Sequence, residues 1–159
     1  FMNLFAKLQR VFPVLPLAGS TAKFQPVWVE DVATAILTCL QERRHIGQTF
    51  EACGPQVLTL KELVQIAGRL AGCERPVIPL SPALGRVQAL LMAMVPGEPM
   101  ISRDNLDSMT VDSIASGLLP GLQALGIAPT ALSAIAPSYL HAQGLEDELL
   151  EMRRTAGRT

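Results

Sequence analysis

Aromatic side chains are scarce in this sequence: they make up 4% of 159 residues, with a single Trp and a single Tyr. The core must therefore be built from aliphatic residues, and no ladder of rings is available for stacking on bases. Charge of one sign is lacking too. Thirteen basic against fourteen acidic side chains give a formal charge of −1, which argues against nucleic acid as a partner. The three cysteines, Cys39, Cys53 and Cys73, are far apart, with no C-x-x-C pair and no neighbouring His. That spacing excludes a disulfide framework and a zinc site; it suits small buried thiols and a reducing, cytoplasmic setting. A membrane span needs about 20 apolar residues in a row. The most apolar stretch, residues 77–95, is broken by Pro79, Pro82 and Arg86.

Reaction chemistry is equally thin. No G-x-G-x-x-G turn and no Walker glycine loop occurs, so nothing here offers a dinucleotide the backbone amides and helix start that it needs. A Ser or Cys nucleophile requires a base within hydrogen-bonding reach. Only His45 and His141 qualify as bases, and no G-x-S-x-G elbow is present. The carboxylate pairs Glu30-Asp31 and Asp104-Asp107 are read as caps and solvated groups. No residue is assigned a catalytic, cofactor-binding or metal-ligating role.

What is present is hydrophobic: apolar residues form 49% of the chain, enough for one compact unit with a sizeable core. Phe1, Leu4, Phe5, Leu8 and Phe12 recur at helical spacing, and Pro13 and Pro16 end that helix. With Phe1 in the first position, the chain is expected to start mid-protein. Residues 24–29 read as an edge strand, since Pro26 lacks a donor. Asp31 is expected to cap the next helix, with Val32, Ile36, Cys39 and Leu40 as its buried stripe. Residues 49–53 read as a strand, and Thr59 with Glu62 forms a T-x-x-E capping box before a helix ending near Gly72. An extended segment at 76–80 precedes an apolar helix over 83–95. Shorter helices are expected from Ser102 and from Pro129-Thr130, and the acidic-then-basic order after Leu145 suits a solvated terminal helix.

The run Phe24-Gln25-Pro26-Val27-Trp28-Val29-Glu30-Asp31-Val32-Ala33 resembles the strand-to-helix block of extended short-chain dehydrogenase/reductases. Gly47-Gln48-Thr49-Phe50-Glu51-Ala52-Cys53-Gly54-Pro55 resembles that family's next strand, and Leu58-Thr59-Leu60-Lys61-Glu62-Leu63 the helix after it. Phe1-Met2-Asn3-Leu4-Phe5-Ala6 is similar to the stretch after the family's cofactor-side arginine-proline segment. Gly126-Ile127-Ala128-Pro129-Thr130-Ala131-Leu132, followed by Pro137-Ser138-Tyr139-Leu140, points within the superfamily to the atypical group related to the NAD(P)H-binding accessory subunit of respiratory complex I. The family's Y-x-x-x-K pair is not reproduced: Tyr139 is followed four residues later by Gln143.

The resemblance implies an α+β arrangement, mostly helical, with two or three short strands. Residues 1–159 would form the C-terminal, substrate-side portion of a Rossmann-type parent whose dinucleotide-binding part is absent, with NAD(P) held by that parent and not by this piece. It also implies a cleft lined by Phe1, Phe5, Lys23, Gln25 and Trp28. There Lys23 would meet a phosphate and Trp28 would close over a ring, although a solvated lysine and a packing tryptophan explain the same residues. Three functions follow for the parent: a nucleoside-diphosphate-sugar epimerase or dehydrogenase, a non-catalytic accessory or assembly protein of complex I, and an NAD(P)H-sensing regulator. The implied partners are the dinucleotide-binding half, a small or nucleotide-linked substrate, and a respiratory complex through which the protein reaches a membrane. Detached from its sheet, the 49–53 strand is expected to self-associate or rearrange.

Overall fold

The computed structural model describes residues 2–81, 83–87 and 108–137. These form an α+β arrangement dominated by helices: α1 (Met2–Val11), α2 (Val29–Gln41) and α3 (Leu60–Leu70), with strands β1 (Leu15–Leu17), β2 (Lys23–Phe24), β3 (Leu58–Thr59) and β4 (Val77–Pro79). Single 3-10 turns follow at Arg43–His45 and Leu122–Leu125. Residues 83–87 and 132–137 are helical.

The main core lies where α1 meets α3. Phe5, Leu15, Leu17, Leu60, Val64 and Ala67 are buried together there. Among these aliphatic groups sits Gln9, with none of its surface exposed. Burying a primary amide is tolerable only if its hydrogen bonds are met. Gln9 Nε2 donates to the Val64 carbonyl at 2.7 Å, and its Oε1 accepts the Arg75 N–H at 3.1 Å. The amide thereby ties α1 both to α3 and to the chain leading into β4.

α3 is the element that local sequence specifies most completely. The Thr59 hydroxyl accepts the Glu62 N–H at 3.2 Å, and the Glu62 carboxylate accepts the Thr59 N–H at 2.7 Å, the reciprocal box expected. At the other end Gly72 adopts φ +68°, a left-handed conformation that only glycine takes cheaply. The chain then reverses so that Cys73 N–H donates to the Gly68 carbonyl at 2.9 Å.

β1 and β4 pair in parallel, Leu15 with Val77 and Leu17 with Pro79. Pro13 and Pro16 do end α1, as expected, but the residues between and after them make a strand. Leu15 and Leu17 turn their backbone groups toward β4, the Leu15 N–H to the Pro76 carbonyl and the Leu17 carbonyl to the Leu80 N–H, so Pro16 between them directs its missing donor away from β4. β2 pairs antiparallel with β3, Lys23 with Thr59 and Phe24 with Leu58.

Four expectations need correction. The strand at 24–29 stops at Phe24: Gln25 N–H donates to the Ser113 carbonyl at 3.0 Å, closing a single parallel bridge between Phe24 and Ser113, and Pro26 has no donor to continue it. Residues 49–53 make no strand; Glu51 alone forms a parallel bridge, with Gly121, so that segment presents no free strand edge for self-association. Asp31 does not cap α2, which begins two residues earlier, after Trp28. Of the expected stripe on α2, Val32 and Cys39 are half-buried, but Ile36 and Leu40 are exposed, Leu40 to 78%. The helix turns Ala35 and Asp31 inward instead. Ala35 packs with Leu122 and Leu125 in a second, smaller core.

Ser81 opens the helical residues 83–87, with Leu84 N–H donating to its hydroxyl at 3.4 Å. The remainder of the helix expected over 83–95, most of that from Ser102, and the terminal helix lie outside the described residues. Cys39, Cys53 and Cys73 are free and half-buried. Among the described residues no helix is long and apolar enough to cross a membrane.

Candidate functional site

Sequence places Pro26 between β2 and α2, and the extended backbone that it enforces keeps Pro26, Val27 and Trp28 out of both elements. Those residues form one side of a cleft of about 580 Å³. Met2 and Asn3 from the first turn of α1 and Leu63 of α3 form its back, and Leu132, Ile135 and Ala136 close the far side.

Three contacts brace this wall. Gln25 spans it like a strut: Nε2 donates to the Gly54 carbonyl at 2.8 Å, and Oε1 accepts the Ala115 N–H at 2.8 Å. Gly54 must be glycine, because a Cβ there would overlap the Pro26 carbonyl. The Asp31 carboxylate accepts two hydrogen bonds from Thr130, at 2.7 Å from the backbone N–H and 3.0 Å from the hydroxyl. It thereby fixes the chain that enters the far side of the cleft.

The residues singled out from sequence divide. Gln25 and Trp28 line the cleft. Phe5 lies in the main core, and Lys23 is exposed, its Nζ 3.8 Å from Asp112 Oδ2; neither lines the cleft. Phe1 lies outside the described residues. Sequence reasoning missed the Asp31–Thr130 tie and the need for Gly54, since both depend on chain segments far apart. The only local sign was the Gly54-Pro55 pair, read simply as an end to the 49–53 segment.

Among the described residues, no side chain lining the cleft is an Asp, Glu, His, Lys, Arg, Cys or Tyr. The arrangement can enclose a ligand, but its lining supplies neither an acid nor a base. Titratable groups with displaced pKa values lie elsewhere. Hydrogen bonds from Ser116, hydroxyl and backbone, and from Gly117 N–H hold the Glu51 carboxyl below the ordinary glutamate range, against an opposing effect of burial. Burial, helped by the nearby Glu51 charge, pushes the Cys53 thiol up, away from the reactive thiolate. Among the described residues no group of three or more His, Cys, Asp and Glu side chains could hold a metal ion.

The starts of α2 and α3 do not suit a dinucleotide. Its pyrophosphate needs free N–H groups and positive potential at a helix start. The first turn of α2 carries Glu30 and Asp31, and that of α3 carries Glu62 within its capping box. Both helix starts therefore repel or exclude an anion.

No protein-family model matches the chain. Individual proteins do. The NADH dehydrogenase [ubiquinone] 1 alpha subcomplex subunit 9, mitochondrial, of Arabidopsis thaliana is 29% identical over 149 residues, which cover 87% of this chain and 37% of that protein. The protein of the same name from Rattus norvegicus is 30% identical over 134 residues, 83% of this chain and 35% of its own length. The chain thus spans about a third of the length of the curated relatives it matches, and along most of its own length it is similar to proteins named as mitochondrial NADH dehydrogenase subunits.

Proposed function

We propose that this chain is the substrate-side portion of a non-catalytic, NAD(P)-binding accessory or assembly protein of a respiratory NADH dehydrogenase, of the extended short-chain dehydrogenase/reductase type. In this reading NAD(P) is held by a dinucleotide-binding part outside these residues, and the protein meets a membrane through the complex. The observation that carries it is the likeness, over 83–87% of the chain, to relatives named as subunits of that enzyme. Two features of the fold agree with it. Among the described residues the cleft has no acid or base in its lining, and α2 leaves Ile36, Leu37 and Leu40 exposed, a larger apolar face than a surface helix of an isolated protein ordinarily shows.

The test is blue-native electrophoresis of detergent-solubilised membranes from cells that make the full-length protein, beside the double variant Ile36→Lys/Leu40→Lys. The wild type is expected to migrate with NADH dehydrogenase activity, and the variant to lose at least half of that association. Migration of the wild type at its own mass would overturn the proposal. So would turnover of nucleoside-diphosphate sugars by the purified protein supplied with NAD(P), which is the epimerase reading of the same cleft.

A further inference from the structure

The cleft between Trp28 and Ile135 is large enough for a ligand; its volume of about 580 Å³ falls within the roughly 300–1,000 Å³ usual for small-molecule sites. Most of its lining is apolar, and two of its polar side chains, Gln25 and Thr130, are already engaged by the protein. Both ends of the Gln25 amide are bonded to the backbone at Gly54 and Ala115, and the Thr130 hydroxyl is bonded to Asp31. The Asn3 Oδ1 has no partner, yet it is sealed away from solvent and so from any occupant of the cleft. Lys23, the nearest cation on β2, turns to Asp112. A sugar or diphosphate entering this space would lose water and find few hydrogen bonds and no cation in return, a loss that polar ligands do not tolerate. A hydrocarbon would lose nothing.

We propose that the cleft binds a linear acyl chain, the tail of a fatty acid or lipid, with its head group at the mouth. This deepens the reading of the cleft as a ligand site and is independent of assembly into a respiratory complex.

Trp28 is the only tryptophan in the chain and lines the cleft, so it reports occupancy directly. The full-length protein is titrated beside its Trp28→Phe variant with bromine-terminated fatty acids of eight, ten and twelve carbons, below their micelle concentrations, and the difference between the two is the signal of Trp28. Saturable quenching of Trp28 is expected, with affinity rising about fourfold per methylene until the cleft is full. The unbrominated acid and a lysophospholipid of the same tail length are expected to reverse the quenching equally. Ile135→Asn is expected to weaken binding at least tenfold with unchanged far-ultraviolet circular dichroism, and Leu118→Lys, at a site 89% exposed, to leave it unchanged. Absence of saturable quenching, affinity independent of chain length, reversal by only one head-group class, or equal weakening by Leu118→Lys would each overturn the acyl-chain proposal. None of these results bears on migration with the respiratory complex.

Discussion

Asp31 holds Thr130 at two points, backbone and hydroxyl, across 99 residues of sequence. The carboxylate is almost fully buried, so its loss leaves the Thr130 N–H without an acceptor away from water. Asp31→Ala is expected to lower the free energy of unfolding by about 2 kcal/mol. Thr130→Val, which removes one of the two bonds and keeps the shape, is expected to cost about half as much. Urea denaturation of both variants at pH 7 measures the difference, and equal losses would show that the hydroxyl carries the whole tie.

Gly68 in α3 faces Gln9 so closely that a Cβ would overlap the buried amide. Helix propensity alone makes Gly68→Ala stabilising by about 1 kcal/mol. Here overpacking is expected to win, with a net loss of about 1–3 kcal/mol. In a Gln9→Ala background, which removes the obstructing amide, the same substitution is expected to become neutral or stabilising relative to Gln9→Ala alone. This reversal of sign is read by thermal unfolding of the four proteins of the cycle.

How much of this was legible beforehand follows the distance between partners. The capping box and glycine stop of α3 have all their partners within five residues, and sequence placed that helix correctly at both ends. α2 was recognised as a helix, but its start and its buried face were misjudged. The pair Glu30-Asp31 looks like a cap locally, and only Thr130 shows that the second carboxylate is used elsewhere. β1 was invisible because Pro16 sits at its centre, Pro13 lies just before it, and its partner β4 lies some sixty residues on. Of the residues that the family resemblance put forward for a substrate cleft, Gln25 and Trp28 line the cleft and Phe5 and Lys23 do not. The same resemblance misassigned residues 49–53, whose strand in that family rests on a sheet that the described residues do not contain.

Gly54→Ala is expected to be among the most harmful small substitutions in the chain. The atom in the way belongs to the Pro26 backbone, which cannot swing aside as a side chain can. A loss of about 2–4 kcal/mol is expected, seen as a fall in Tm of several degrees for a chain of this size. The Trp28 emission spectrum is expected to shift as well, since Pro26 and Trp28 share the same extended segment.

Acid sensitivity follows from three carboxylates: the Arg44 guanidinium holds the Glu42 carboxyl below the ordinary glutamate range, and two more are held there by hydrogen bonds. Hydrogen bonds with Ser116 and with Thr59 depress the pKa of Glu51 and Glu62, respectively, in the folded chain. A group with a depressed folded pKa stabilises fully above its ordinary value, and that contribution disappears as pH falls through the folded value. Tm is thus expected to be nearly flat from pH 7 to about 5 and to decline below about 4.5. Glu51→Gln is expected to lower Tm at pH 7 and to make the acid decline shallower. A Tm series from pH 3 to 7 on both proteins checks this.

The parallel pairing of β1 with β4 governs where the polypeptide can be cut. The backbone groups of Leu15 and Leu17 are met only once residues 76–80 have returned, Leu15 N–H reaching the Pro76 carbonyl and Leu80 N–H the Leu17 carbonyl. A ribosome-bound chain released only to the end of α3 would leave those backbone groups facing water. Stop codons placed between α3 and Val77 should therefore yield proteolysis-prone, aggregating products.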